Sequence, residues 1–240
     1  MDPTLRAFLA SWSWRPEVLL VLGLLGSTYV TGWCRLRRLQ ARSASGGRLA
    51  FYLAGLGVLA LGLLSPIDTF GAFLFFMHMI QHELFVMVAP PLLLLANPLP
   101  VLLWGLPRAA RRRLGRLLTR QALTRRLLRT LTHMPVALPL YVLTLWLWHL
   151  PAAYQAALRL EVVHDAEHLT FFATALLFWW PIVNPAPRLH GHIAYGLRLV
   201  YVLLAALQNT LLAALISLTE RVLYPYYEAV PRLWGPDAAQ

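Results

Sequence analysis

Six apolar runs fall at roughly residues 17–34, 49–65, 70–96, 135–150, 164–183 and 195–218. Each approaches or exceeds the length, about 20 residues, that a helix needs to cross the hydrocarbon core of a bilayer. Six such runs account for about half of the 240 residues. The expected fold is all-α: a polytopic integral membrane helix bundle of about six transmembrane helices, forming a single membrane domain over 1–240. Only 13% of the residues are charged, against roughly a quarter in soluble domains, so a water-soluble globule is excluded. No small-residue cleavage site follows the first run. Instead Arg35, Arg37, Arg38, Arg42 and Arg48 arrive as a stop-transfer block, so it reads as a retained helix and not a signal peptide.

The remaining charge is unevenly placed. All 21 basic side chains are arginine, against 10 acids, for a net charge of +11. In a soluble protein that excess would point to nucleic acid. Here 14 of the 21 sit in two acid-free segments, five in 35–48 and nine in 107–132, so nucleic acid is not the expected partner. Basic loops stay on the cytoplasmic side, which places both segments, and Arg188, inside. Asp68, Glu161 and the tail 219–240 then lie outside, with both termini. The arginine blocks are expected to meet anionic membrane lipid, with a docking surface as the alternative. Cys34 is the one cysteine, so neither an internal disulfide nor a CxxC clip is available.

Two segments share a spaced pattern. Ser65-Pro66, His78-Met79-Ile80-Gln81-His82 and Asn97-Pro98-Leu99-Pro100 are matched by Leu150-Pro151, His164-Asp165-Ala166-Glu167-His168 and Asn184-Pro185-Ala186-Pro187. Proline to first histidine is 12 and 13 residues, and first histidine to asparagine is 19 and 20. This spacing predicts two parallel helix-pair repeats, 49–100 and 135–187, flanking the cytoplasmic loop 107–132 and followed by a sixth helix at 195–218.

Positions i, i+3 and i+4 share a helix face. His78, Gln81 and His82 therefore form one triplet, and His164, Glu167 and His168 another. At 1.5 Å per residue both pairs lie about 22–24 Å from the cytoplasmic ends of their helices, in the outer half of a core about 30 Å thick. His149, after Trp146 and Trp148, approaches the same level. Isolated polar groups in hydrocarbon cost several kcal/mol unless paired, so histidines at matched depth invite a common ligand. Neutral imidazole suits copper, zinc and iron. The candidate metal ligands are His78, His82, His149, His164, His168 and Glu167, with Gln81 placed to hydrogen-bond a ligand from outside the set. Copper is the expected ion and zinc an alternative. Two other readings stay open: haem held by histidines from facing helices, and a polar cluster that only bridges helices.

Other polar groups carry weaker signals. Glu83 is either a second inner-bundle group or an outer partner of the cluster. Met77, Met79 and Met87 flank the first pair, and thioethers favour Cu(I), yet three Met on an apolar helix usually pack. His164 to His168 also fits the inverted zinc-protease spacing H-x-x-E-H, a pattern that five positions match easily by chance. Cys34 is remote from the histidine level. Arg198 is expected to snorkel to the cytoplasmic interface, and Gln208-Asn209 to face the bundle.

His78-Met79-Ile80-Gln81-His82, followed by Ala89-Pro90-Pro91-Leu92-Leu93 and Asn97-Pro98, resembles the CtaG family of membrane proteins needed for assembly of bacterial cytochrome c oxidase. Trp148-His149-Leu150-Pro151-Ala152-Ala153-Tyr154, then His164, Glu167-His168 and Phe178-Trp179-Trp180-Pro181, is similar to the family's second signature. The resemblance covers about residues 50–235. It implies a multi-pass plasma-membrane protein that helps mature a haem-copper oxidase, with an oxidase subunit as partner and copper handling as the chemistry. The family's motif histidines map onto His78, His82, His149, His164 and His168. Family members usually continue, after a segment like Tyr224-Pro225-Tyr226-Tyr227 and a Trp-Gly like Trp234-Gly235, into a seventh helix. No further apolar run is present here, which leaves open a shortened member or a helix outside this sequence.

The expected function is an assembly factor that takes copper from the outer face, holds it between the third and fifth helices with His149 at the mouth, and passes it on without turning over a substrate. The rivals are a haem-binding electron-transfer protein and a structural scaffold. Copper transport across the membrane lacks a matching ligand set in the inner half of the spans. Homo-oligomerisation is left open.

Overall fold

The computed structural model describes residues 6, 10–41, 43–119, 121–219 and 221–230. Arg42, Arg120, Glu220, Trp234-Gly235 and the rest of the tail beyond 230 therefore lie outside the described residues. The elements are α1 (Pro16–Arg38), α2 (Gly46–Leu64), α3 (Pro66–Gly71), α4 (Phe75–Leu95), α5 (Pro98–Gly105), α6 (Arg108–Leu117), α7 (Leu123–Leu131), α8 (Met134–Trp148), α9 (Pro151–Arg159), α10 (Glu161–Val183), α11 (Tyr195–Ser217) and α12 (Tyr226–Ala229). No strand occurs among the described residues.

Five helices, α1, α2, α4, α10 and α11, are long and apolar enough to cross a membrane, and α8, joined to α7 at a 69° bend, makes a sixth candidate. Leu20 and Leu24 on α1, and Leu199, Leu203 and Leu207 on α11, point outward, as lipid-facing helix surfaces require. The third expected run, 70–96, is two elements. The Ser65 hydroxyl accepts from the Ile67 amide, and Pro66 occupies the first position of a new turn, so α3 starts before α4. The fifth helix likewise starts earlier than expected, at Glu161.

Segments 49–100 and 135–187 share one element order: an apolar helix, a short helix opened by Pro66 or Pro151, a His-bearing helix, then an asparagine in the left-handed region, with φ 54° at Asn97 and 51° at Asn184. Asparagine is among the few residues that tolerate that backbone. The two ends are tied together, because the Ala186 amide donates to Asn97 Oδ1 at 2.6 Å.

Prolines shape α4. Regular helix pairing would join the Val86 carbonyl to the amide of residue 90, and a π turn would join it to residue 91, but both are prolines without an N–H. The helix widens into a π turn over Leu84–Val88. Trp179 Nε1, on α10, supplies the missing donor to the Val86 oxygen at 3.0 Å. Trp179→Phe keeps the ring and removes that donor, so it is expected to destabilise the bundle by about 1–3 kcal/mol. Thermal unfolding in detergent measures this, and an unchanged midpoint would contradict the assignment.

Close packing joins α1 to α5. A Cβ at Gly32 would overlap the Val101 carbonyl and the Gly105 amide, and one at Gly105 would overlap the Thr28 carbonyl. Small residues let membrane helices approach this closely. On α11, Gln208 accepts from Trp146 Nε1 at 3.0 Å and Asn209 donates to the Tyr141 hydroxyl at 3.0 Å, so both face α8 as expected. Arg198, expected to snorkel, donates from Nη1 to the Ile182 carbonyl near the end of α10 at 3.0 Å.

Candidate metal centre

α4 contributes His78 and His82, and α10 contributes Glu167 and His168. Exposures of 1, 4, 0 and 5% show all four to be buried. One ligand atom from each lies within 4.8 Å of all the others. Glu167 sits between the α4 imidazoles, with Oε2 3.6 Å from His78 Nε2 and Oε1 3.7 Å from His82 Nε2. Those separations are too long for hydrogen bonds. Tetrahedral ligands about 2.0 Å from one ion stand about 3.3 Å apart, so the spacing suits donors that share an ion.

Hydrogen bonding points the same way. His78 Nε2, both ring nitrogens of His82 and His168, and both oxygens of Glu167 are buried without a hydrogen-bond partner in the protein. Buried polar atoms are nearly always paired, and an unpaired one costs about 1–3 kcal/mol. A cluster of three imidazoles and a carboxylate left this way does not behave as hydrogen-bonding glue. Its donor set fits a transition-metal ion.

The other expected residues fall around this set. His164 is half-buried, its ring centroid 4.1 Å from that of His168 and 5.3 Å from that of His78, outside the compact donor group. His149 ends α8 with its ring 6.0 Å from His82. Its Nδ1 donates to the Leu145 carbonyl at 2.7 Å, which leaves the Nε2 lone pair free. The five-imidazole convergence is thus three imidazoles and a carboxylate, flanked by two more rings. The inverted zinc-protease trio does not form one chelating group, because Glu167 faces α4 and His164 stands aside.

Gln81 differs from expectation. Its Nε2 donates to the Gly62 carbonyl and to Asp68 Oδ1, both at 2.7 Å, fastening α4 to α2 and α3 instead of supporting a ligand. Glu83 is exposed and stands at a cavity of about 210 Å³ that His82, His149, Tyr141 and Asn209 also line, so the structure does not bury it inside the bundle. Met77 packs on Phe70 and Leu74, Met79 against the tyrosines described next, and Met87 is exposed. Cys34 is exposed near the arginine-rich end of α1.

Two features had no periodic signal. A tyrosine roof covers one end of the cluster: the buried Tyr154 hydroxyl bonds Tyr227 at 2.9 Å, Tyr227 donates to the Gly71 carbonyl at 3.1 Å, and Tyr224 donates to the His149 carbonyl at 2.9 Å. The Tyr154 ring lies 5.1 Å from His78. Beside His164, Arg15 grips Asp165 through two bonds of 3.1 and 2.9 Å, pinning the segment before α1 to α10.

A membrane helix bundle with a buried histidine–carboxylate cluster is the class that fold and site define. The model of the cytochrome c oxidase caa3 assembly factor family matches residues 27–240, and the chain belongs to that family. It is 28% identical over 195 residues to uncharacterized proteins of Mycobacterium bovis and Mycobacterium tuberculosis, covering 78% of this chain and 29% of each relative. An uncharacterized protein of Mycobacterium leprae is 25% identical over 244 residues, covering 97% of this chain and 35% of its own length. The chain thus spans about a third of the length of these curated relatives. No solved structure matches it.

Proposed function

We propose that this protein binds one copper ion between α4 and α10 through His78, His82, His168 and Glu167, and passes it to a cytochrome c oxidase subunit during assembly. The observation that carries the reading is the convergence of unpaired nitrogen and oxygen atoms on four buried side chains. Family membership supplies the recipient.

Charge favours Cu(I) over a divalent ion. Three neutral imidazoles and one carboxylate make a site of charge −1, which a monovalent ion neutralises and Zn²⁺ leaves at +1, and net charge is costly at this depth. Compactness disfavours haem, because a porphyrin would need the equatorial space that Glu167 and the third imidazole occupy.

With the arginine segments inside, the cluster lies in the outer half of the membrane, and the ion arrives from and leaves toward the outer face. The cavity beside Glu83 and His149 is the route, since His82 forms part of its wall. Glu83→Gln is expected to slow metal loading several-fold in stopped-flow mixing while leaving the final stoichiometry unchanged. An unaltered rate would remove Glu83 from the route.

The site itself is tested by the metal content of purified protein. Wild type is expected to hold about one copper per chain after Cu(I) loading, and His82→Ala with His168→Ala to hold almost none, since half the ligands are gone. Equal content in both would end the proposal. Zinc at the same stoichiometry would keep the site and overturn the choice of ion.

A further inference from the structure

The arginine-rich end of the bundle carries a second site, independent of the metal reading. There α7 meets α8 at 69°, and two open cavities of about 380 and 520 Å³ lie against it. Arg126 and Arg129 line both. Arg125, Arg188 and His190 complete the first, and Thr130 and His133 the second.

The sequence has no acidic residue between Glu83 and Glu161, and among the described residues no carboxylate pairs with any of these guanidiniums. Two of the lining side chains, Arg125 and His190, are held in place. Arg125 Nη1 donates to the Leu118 carbonyl at 3.0 Å and Nη2 to the Arg188 carbonyl at 3.1 Å, which ties α7 to the loop after α10. The buried Thr132 bonds His190 Nε2 at 2.8 Å. Guanidiniums without carboxylate partners are suited to bidentate contact with phosphate oxygens.

The same short helix exposes Leu123 and Leu127, 79 and 56% accessible. Arginines and bare leucines on one helix at the end of a membrane bundle belong at the boundary of headgroups and acyl chains. A soluble phosphate would use the arginines and leave the leucines in water, whereas a phospholipid engages both.

We propose that these paired cavities form a headgroup site for an anionic phospholipid carrying two phosphates, of the cardiolipin class, with one phosphate in each cavity and Arg126 and Arg129 between them. A headgroup with a single phosphate fills one cavity, and a zwitterionic one adds an ammonium group where cations already crowd.

Delipidated protein in neutral detergent, titrated with cardiolipin, phosphatidylglycerol, phosphatidylcholine or pyrophosphate and read by native mass spectrometry, tests this. Cardiolipin is expected to bind one per chain, about 10-fold tighter than phosphatidylglycerol, with phosphatidylcholine weaker still. Arg126→Ala with Arg129→Ala should abolish the preference, Arg126→Lys with Arg129→Lys should keep much of it, and Arg37→Ala with Arg38→Ala, in the other basic segment, should leave it intact. Equal affinity for cardiolipin and phosphatidylglycerol in the wild type overturns the two-phosphate assignment, whatever the variants do. Displacement of cardiolipin by equimolar pyrophosphate assigns the cavities to a soluble phosphate and overturns the lipid.

Discussion

Glutamine in place of Glu167 is expected to weaken Cu(I) binding by about 100-fold or more while the bundle stays folded. The substitution is nearly isosteric, so packing between His78 and His82 is kept and only the charge is lost. Leaving a buried charge without its partner costs about 3–5 kcal/mol, and each 1.4 kcal/mol is a factor of ten in affinity. The same variant separates an ion site from polar glue. A glutamine amide both donates and accepts, so in a cluster that merely bridges helices it would pair with the imidazoles and raise the unfolding midpoint. Competition titration against a Cu(I) chelator, run beside thermal unfolding, reads both quantities. Unchanged affinity with a raised midpoint would assign the cluster to structure.

The second large effect lies in α1, far from the cluster. Gly32→Ala is expected to destabilise the protein by about 3 kcal/mol, because the new methyl meets backbone atoms of Val101 and Gly105, which cannot rotate away as a side chain would. Gly23→Ala, on the same helix, meets nothing within 4 Å. That change should be neutral or stabilise by a few tenths of a kcal/mol, since alanine has the higher helix propensity. The pair holds chemistry and helix constant, so midpoints that move together would contradict the close crossing of α1 and α5.

Much of this fold was legible because a bilayer admits few solutions. Apolar length and arginine placement gave the helix count, and i, i+4 spacing found both histidine pairs. The rotation of each helix about its axis was not legible, and it decides which imidazoles meet. Glu167 shares a face with His164 and His168, yet only the facing of α10 toward α4 puts it between His78 and His82. Gln81 shares the face of its neighbours too, and it turns to Gly62 and Asp68 because α2 and α3 offer polar partners that periodicity does not reveal. Arg15 and Asp165 lie 150 positions apart, beyond any local pattern. The break in α4 had a visible cause in Pro90-Pro91, but the residue that answers it, Trp179, comes from another helix.

The tyrosine roof has a consequence for biosynthesis. Membrane helices enter the bilayer roughly in the order the ribosome makes them, and folding follows N- to C-terminally. All four central ligands, and the α4–α10 interface that gathers them, precede Tyr224 and Tyr227 in the chain. The nascent protein therefore passes through a stage in which its ligands are assembled and only Tyr154 of the roof has been made. On the proposed copper reading, an ion met at that stage would be enclosed when the roof closes, whereas one met later would have to cross the roof or pass beside Glu83. The age of the polypeptide, and not its sequence alone, would then govern how readily the proposed centre fills.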